Sequence, residues 1–282
     1  MFPGQGSQYI GMGKEFYEQI PICKEVYDLA SEVTGLDIPA LCFEENEKIN
    51  ITEYTQICML ATEAAIYMAL EQNGYQPDVT AGLSLGEYGA LIASGVMTAE
   101  EAFELVRKRG IFMQEAVPTG GAMAAVIGMD GEQIRKICQE TEGRVSVANY
   151  NCPGQVVITG EDTAVERAGM ALKEAGARRV LPLKVSGPFH SPMLEGAGKK
   201  LVEVLKTVTV QAPVTPYVTN VTAEYVTEEE AIKELLAKQV ASSVLWQQSV
   251  ERMIADGVDT FVEIGPGKTL TGFLRKIDSV SY

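Results

Sequence analysis

The sequence predicts an α/β fold, and three observations carry that expectation. The first part of the chain alternates short β-like stretches with longer helical patterns, which argues for a parallel sheet flanked by helices. Residues 117–186 then read strand, helix, strand, strand, helix, strand, the order of a split-βαβ, ferredoxin-like unit. Finally, 282 residues with 46% hydrophobic and 22% charged content suffice for a full core in one large domain or two subdomains.

Each element has a local reason. Val79 to Ala81 is a short extended stretch that runs into an Ala/Leu-rich helix from Glu87 to Ala93. Thr55 to Gln72 reads as a helix that Gly74 ends, and Thr98 to Ala116 as another, opened by a capping box of Thr98 and Glu101. In the middle, Ala122–Ile127, Val145–Ala148, Gln155–Thr159 and Arg179–Lys184 read as strands, and Gly131–Thr141 and Thr163–Ala175 as helices. The chain returns to the main body at Gly187-Pro188. Phe261–Ile264 is expected to be a last buried strand before Gly265-Pro266-Gly267. Residues 1–116 and 187–282 are thus expected to form a large subdomain, with 117–186 inserted as a small one.

Composition narrows the function classes. There is no basic segment followed by an apolar core of about 7–15 residues, so no signal peptide is expected. No apolar run approaches the ~20 residues that span a bilayer. Cys23, Cys42, Cys58, Cys138 and Cys152 are odd in number, lack a C-x-x-C pair and have a single histidine for company. Neither a disulfide framework nor a metal site is expected, and the thiols read as reduced packing residues of a cytoplasmic protein. A formal charge of −15 and a pI near 4.6 argue against nucleic acid or an anionic membrane as partner; an acidic protein partner needs a local basic patch.

The residues that carry chemistry begin with Gly82-Leu83-Ser84-Leu85-Gly86-Glu87. A serine on a sharp strand-to-helix turn presents its hydroxyl at a helix N-terminus, where free N–H groups stabilise negative charge. Alone, G-x-S-x-G also arises by chance. Serine needs a neighbouring base, and His190 is the one histidine of the chain. A lone histidine is often structural, but His190 follows the rigid turn Gly187-Pro188-Phe189, a place for functional side chains. No acidic third member stands out, since Asp130 and Asp162 read as helix-entry residues. A backbone carbonyl can equally fix the imidazole tautomer.

Arg109 sits among Ala102, Leu105, Val106, Phe112, Met113 and Ala116 on one otherwise apolar helix face. A buried guanidinium needs a partner. An internal carboxylate and a substrate carboxylate near Ser84 both remain open on spacing alone. Two nucleotide motifs fail: Tyr9 stands where a dinucleotide fingerprint after Gly4 and Gly6 needs glycine, and Val262 stands where a P-loop ending Gly267-Lys268-Thr269 needs one. No cofactor is expected.

Taken in order, Phe2-Pro3-Gly4-Gln5-Gly6-Ser7-Gln8, Gly82-x-Ser84-Leu85-Gly86-Glu87-Tyr88, Arg109 with Phe112-Met113-Gln114, Asn149 with Pro153-Gly154-Gln155, Phe189-His190-Ser191 and Gly265-Pro266-Gly267-Lys268 span nearly the whole chain. The chain resembles the malonyl-CoA:acyl carrier protein transacylases of bacterial fatty acid synthesis. The resemblance implies an α/β-hydrolase-like large subdomain with an inserted ferredoxin-like small one. It implies Ser84 as the nucleophile that takes the malonyl group from coenzyme A and His190 as its general base. The N–H groups of Gln5 and Leu85 would form the oxyanion hole, and Arg109 would clamp the malonyl carboxylate. Phe189 resembles the malonyl-selective members. The implied partners are malonyl-CoA, coenzyme A and phosphopantetheinylated (holo) acyl carrier protein, and a monomer is expected. Arg178, Arg179, Lys184, Lys199, Lys200, Lys268, Arg275 and Lys276 are candidates for the carrier's basic landing site.

Two positions depart from the family's pattern. Leu83 stands where a histidine is usual before the nucleophile. Leu245 stands where a polar residue before Trp246 often turns its main-chain carbonyl to the catalytic histidine; that backbone contact is expected to survive. Two rivals remain: an esterase or thioesterase, for which G-x-S-x-G alone would serve, and a non-catalytic docking domain that keeps the fold.

Overall fold

A computed structural model describes residues 1–278. Its strands are β1 (Thr80–Ala81), β2 (Gly121–Ile127), β3 (Val145–Cys152), β4 (Gln155–Glu161), β5 (Arg179–Pro182) and β6 (Tyr217–Val218). They form a mixed α/β structure with one parallel and one antiparallel sheet. β1 pairs in parallel with β6. Phe2 lies on the other side of β1, donating its N–H to Ala81 O at 3.0 Å and forming a parallel bridge to Gly82. The predicted extended stretch before Ser84 is therefore real, though only two residues long as a strand.

Helices wrap this pair. Thr52–Gln72 starts three residues before its expected N-terminus, and Gly74 ends it in the left-handed conformation. Gly86–Ala93 is buried along its whole length. Ala99–Ala116 has the predicted capping box in both directions, Thr98 N–H to Glu101 Oε2 at 3.0 Å and Glu101 N–H to Thr98 Oγ1 at 3.2 Å. All three helices contribute to one large apolar core, which also takes Tyr27, Leu201 and Leu236 from helices Pro21–Thr34, Glu195–Leu205 and Glu229–Gln239.

The antiparallel sheet has the order β3-β4-β2-β5. Strand alternation gives it two apolar faces. Ala124, Val126, Val156 and Ile158 pack with Ile134 and Leu172 from helices Gly131–Glu140 and Asp162–Glu174 in a separate core. Met123, Ala125, Ala148 and Val157 face the opposite way, toward the large core. The predicted elements thus appear here with shifted ends. β3 runs on past the expected end at Ala148 through Asn149 and Asn151, residues depleted in strands, with register shifts between Val147 and Asn149 and between Tyr150 and Cys152. Tyr150 N–H donates to Val244 O at 2.9 Å and Val244 N–H to Ala148 O at 2.8 Å, which ties the strand to the main body.

The expected last strand is corrected. Phe261–Ile264 is no strand, and Val262 is 57% exposed. Its ladder reaches only Met1, through Ile264 N–H to Met1 O at 2.8 Å and the Met1 amine to Val262 O at 2.7 Å, so the pattern of an apolar run overstated its burial. Each of the five cysteines is a free, buried thiol. Among the described residues no helix is long and apolar enough to cross a membrane.

Candidate active site

The elbow is forced by close packing. A side chain on Gly82 would run into the backbone of Gly86, and one on Gly86 into the carbonyls of Phe2 and Pro3, so both glycines are steric requirements. Between them Ser84 takes φ 55°, the left-handed region. Such strain costs about 1–3 kcal/mol and needs support from the surroundings. Asn220 and Gln239 supply it. Ser84 N–H donates to Asn220 Oδ1 at 2.6 Å, Gln239 Nε2 donates to Ser84 O at 2.9 Å, and Asn220 Nδ2 donates to Gly82 O at 2.6 Å.

His190 is strained in the same way, with φ 58°. Its Nε2 lies 2.7 Å from Ser84 Oγ and its Nδ1 2.9 Å from Gln239 O. A carbonyl only accepts, so the proton belongs on Nδ1 and Nε2 is left to accept from the serine. Burial, followed by the Arg109 charge, pulls the imidazole down to about 4, against hydrogen bonds to the backbone at Gln239 and Ser242 that raise it. At neutral pH His190 is uncharged, the form a base needs. The orienting carbonyl is not where the family pattern put it. Leu245 O accepts from Ser249 N–H and Oγ–H; the carbonyl on Nδ1 comes from Gln239, at the C-terminal end of helix Glu229–Gln239.

Arg109 is 1% exposed, and all its hydrogen bonds go to neutral groups. Nη1 donates to Gln56 Oε1 at 2.6 Å, and Nη2 to Gln239 Oε1 at 2.9 Å and Ser84 Oγ at 3.3 Å. The guanidinium also lies over the Tyr88 ring, 5.4 Å from its centroid. The internal carboxylate left open by the sequence is therefore absent from its hydrogen-bonded shell. A carboxyl group stands one amide further: Glu87 Oε2 accepts from Gln239 Nε2 at 2.6 Å and from Asn220 N–H at 3.2 Å.

Ser84, His190 and Arg109 thus meet. Ser84, His190 and Gln5 line a cleft of about 590 Å³ whose lining also includes Phe189, Asn149 and Val157, and Arg109 lies buried behind it, reaching it through Ser84 Oγ. The Gln5 side chain donates to Thr52 Oγ1 at 3.1 Å and accepts from Gln56 Nε2 at 3.4 Å. Leu85 is buried directly after the nucleophile. Among the described residues neither the Gln5 nor the Leu85 backbone N–H donates to the protein. Leu83 lines the same cleft. Its N–H donates to Phe2 O at 3.0 Å and its carbonyl accepts from Gly86 N–H at 3.0 Å, so the turn is held by Leu83's backbone whatever its side chain. A larger cleft of about 720 Å³ beside Tyr75 and Val262 contains none of the predicted site residues.

Gln56, Asn220 and Gln239 were invisible to motif reading, because amides carry no spacing signal and reach the site from distant elements. Glu87 was legible by the argument that singled out Arg109, a charged residue in a helix otherwise made for burial.

Comparison with known proteins shows the family. The model of the acyl transferase domain family matches residues 1–277. The malonyl CoA-acyl carrier protein transacylase of Bacillus subtilis is 47% identical over 99% of this chain and 89% of its own length. That of Escherichia coli K12 is 46% identical over 98% and 91%. The crystal structure of an acyl carrier protein S-malonyltransferase from Vibrio cholerae superposes with a TM-score of 0.96 at 45% identity, covering 99% of this chain and 92% of that one. A malonyl-transacylase in complex with a type II polyketide acyl-carrier protein superposes with a TM-score of 0.96 at 43% identity, over 99% and 92%. By a match that covers nearly its whole length, the chain belongs to the acyl transferase domain family, among the malonyl CoA-acyl carrier protein transacylases.

Proposed function

We propose that this chain moves the malonyl group from malonyl-CoA to the phosphopantetheine thiol of holo acyl carrier protein for fatty acid synthesis, in two half-reactions through malonyl-Ser84. His190 Nε2 takes the hydroxyl proton as Ser84 Oγ attacks the thioester carbon. The oxyanion is held by the N–H groups of Gln5 and Leu85, each such donor being worth about 10²–10³-fold. Collapse expels the coenzyme A thiolate, which receives the proton from His190. The carrier thiol then gives its proton to His190 and attacks the ester, and collapse of the same oxyanion releases Ser84, whose oxygen takes the proton back from His190.

The observation that carries the malonyl assignment is Arg109: a buried guanidinium beside the nucleophile whose hydrogen bonds all go to neutral groups. A planar cation so placed suits a carboxylate one methylene from the reacting carbonyl. An esterase has no use for it. The scheme needs neither metal nor cofactor. Phe189, buried beside His190, narrows the acyl pocket.

We read residues 1–116 and 187–282 as an α/β-hydrolase-like subdomain and 117–186 as a ferredoxin-like one. Supporting this are the β3-β4-β2-β5 order and the separate apolar core between that sheet and its two helices. The five free thiols fit a cytoplasmic setting. For the carrier we favour Lys184, which lines the cleft, and Lys276, which donates to Gln155 on its rim. Lys200 is less suited, being engaged by Glu115 and the Phe112 ring.

Incubation with malonyl-CoA alone, followed by intact-mass measurement, tests the reading. One malonyl adduct on Ser84, discharged by added holo carrier protein, is expected. An adduct on Ser84→Ala protein, or free malonate with no adduct and no transfer, would overturn it.

A further inference from the structure

The residue least explained by the scheme above is Glu87. It is fully buried in helix Gly86–Ala93, one turn beyond the nucleophile, and its side chain does not line the cleft. Burying a carboxylate there is unfavourable unless something uses it. Its Oε2 accepts from Gln239 Nε2 at 2.6 Å and from Asn220 N–H at 3.2 Å. These are the two residues that hold the strained Ser84, through the Ser84 N–H and the Ser84 carbonyl. Gln239 also presents its other amide atom, Oε1, to Arg109 at 2.9 Å. An amide gripped by a carboxylate on its N–H side has a stronger acceptor on its oxygen side.

Resting on the malonyl-transfer reading, we propose that Glu87 is a positioning residue: through Gln239 it fixes and balances the Arg109 guanidinium without occupying it, so that the cation stays in place for the substrate carboxylate. The logic lies in the spacing. A carboxylate in direct contact with Arg109 would compete with malonate for the same N–H groups. A carboxylate one amide away balances the charge at a distance and leaves those groups available. Glu87 thereby acts on which acyl group is accepted more than on the nucleophile's own reactivity, because His190 is held by a main-chain carbonyl that a side-chain change at Glu87 does not remove.

The charges facing Glu87 agree with this role. Arg109 comes from helix Ala99–Ala116, Tyr88 from its own helix, and Tyr217 from β6; each acts on it or is acted on by it across the buried space. Burial pushes the carboxyl up to about 7, opposed by its hydrogen bonds to Gln239 and Asn220, by the neighbouring Thr219 hydroxyl and by the Arg109 charge. The balancing charge is thus present above about pH 7 and lost as the pH falls through that value, whereas His190 stays neutral down to about 4.

The test compares wild type, Glu87→Gln and Glu87→Ala for transfer of malonyl and of acetyl from their coenzyme A thioesters, across pH 5 to 9, with labelling of Ser84 by a fluorophosphonate as a measure of the nucleophile alone. Glu87→Ala is expected to lower kcat/KM for malonyl-CoA by about tenfold or more, to lower acetyl transfer and fluorophosphonate labelling by a clearly smaller factor, and so to erode the malonyl preference. Glu87→Gln can still accept from Gln239. It is expected to keep the malonyl-to-acetyl ratio within about threefold at pH 6, while losing the change in that ratio near pH 7 that wild type shows. An unchanged ratio in Glu87→Ala, or a wild-type pH dependence in Glu87→Gln, overturns the proposal. If Glu87→Ala does not fold, the pH dependence of Glu87→Gln decides alone. Failure of wild type to form malonyl-Ser84 at all would instead remove the transfer reading itself.

Discussion

The two walls of the cleft are built from opposite materials. Behind the inner wall, beneath Ser84, lies a buried polar network in which Arg109 donates to Gln56 and Gln239, and Glu87 accepts from Gln239 and Asn220. The outer wall is the inward face of the antiparallel sheet, with Met123, Ala125 and Val157, rimmed by Asn149, Asn151 and Lys184. Its side chains at Met123, Ala125 and Val157 are apolar, and its continuation along Leu183 and Val185 is exposed. A rigid inner wall suits recognition of a small charged acyl group, where one misplaced donor matters. A softer outer wall suits the long pantetheine arm and a carrier that must arrive and leave.

That contrast can be broken at its strongest point first. Ser84→Ala should reduce malonyl transfer by about four to six orders of magnitude, the scale on which serine-nucleophile enzymes lose activity; stopped-flow or mass-resolved transfer assays measure it. Next, Arg109→Ala should cost malonyl transfer about 10- to 100-fold while acetyl transfer changes by less than about threefold. Equal losses would mean that the inner wall does not read charge.

The pH dependence sharpens the same wall. Because burial and the Arg109 charge pull His190 down to about 4, neutral base is lost as the pH falls through about 4 and not through the usual 6.5. Acetyl transfer, which needs no carboxylate clamp, should accordingly keep more than half its kcat/KM at pH 5. A midpoint near 6.5 would place the histidine in a wetter setting than this one. The smallest effect belongs to the outer wall. Lys184→Glu should raise the KM for holo carrier protein by a few-fold, with a salt dependence, and leave malonylation of Ser84 from malonyl-CoA unchanged. A change in the malonylation rate would show that the two walls are not separable.

The legibility of the molecule in its sequence follows this division. Helices with a cap and a stop were visible at once: Thr98 with Glu101 opens one, and Gly74 closes another. The antiparallel sheet was visible because alternation is a local signal, though β3 ran past Asn149 and Asn151 against their propensity. Of the parallel pair, the stretch Val79–Ala81 shrank to two residues, and β6 at Tyr217–Val218 was not legible, since so short a strand carries too little pattern. In the site, Ser84, His190 and Arg109 were legible through rarity: a glycine-flanked serine, a lone histidine, and a cation on an apolar stripe. The amides were not. Gln239 is an ordinary residue near the end of an amphipathic helix until folding brings it to three functional groups at once. The assignment of the orienting carbonyl to the position before Trp246 failed for the same reason, because any main chain can offer a carbonyl and only the fold selects one.

The neutral shell around Arg109 also means that the protein stands one atom pair away from silencing itself. Gln56 Oε1 meets the guanidinium at 2.6 Å, and Gln56→Glu would change that amide into a carboxylate with almost no change of shape. The result would be a built-in mimic of the substrate's own acid group, permanently docked. Such a variant is expected to reject malonyl-CoA and to take acetyl-CoA comparatively well, a reversal readable in a direct competition between the two thioesters. Seen this way, the glutamine is a gatekeeper by abstention. Selectivity for an acid rests on the protein's withholding of its own.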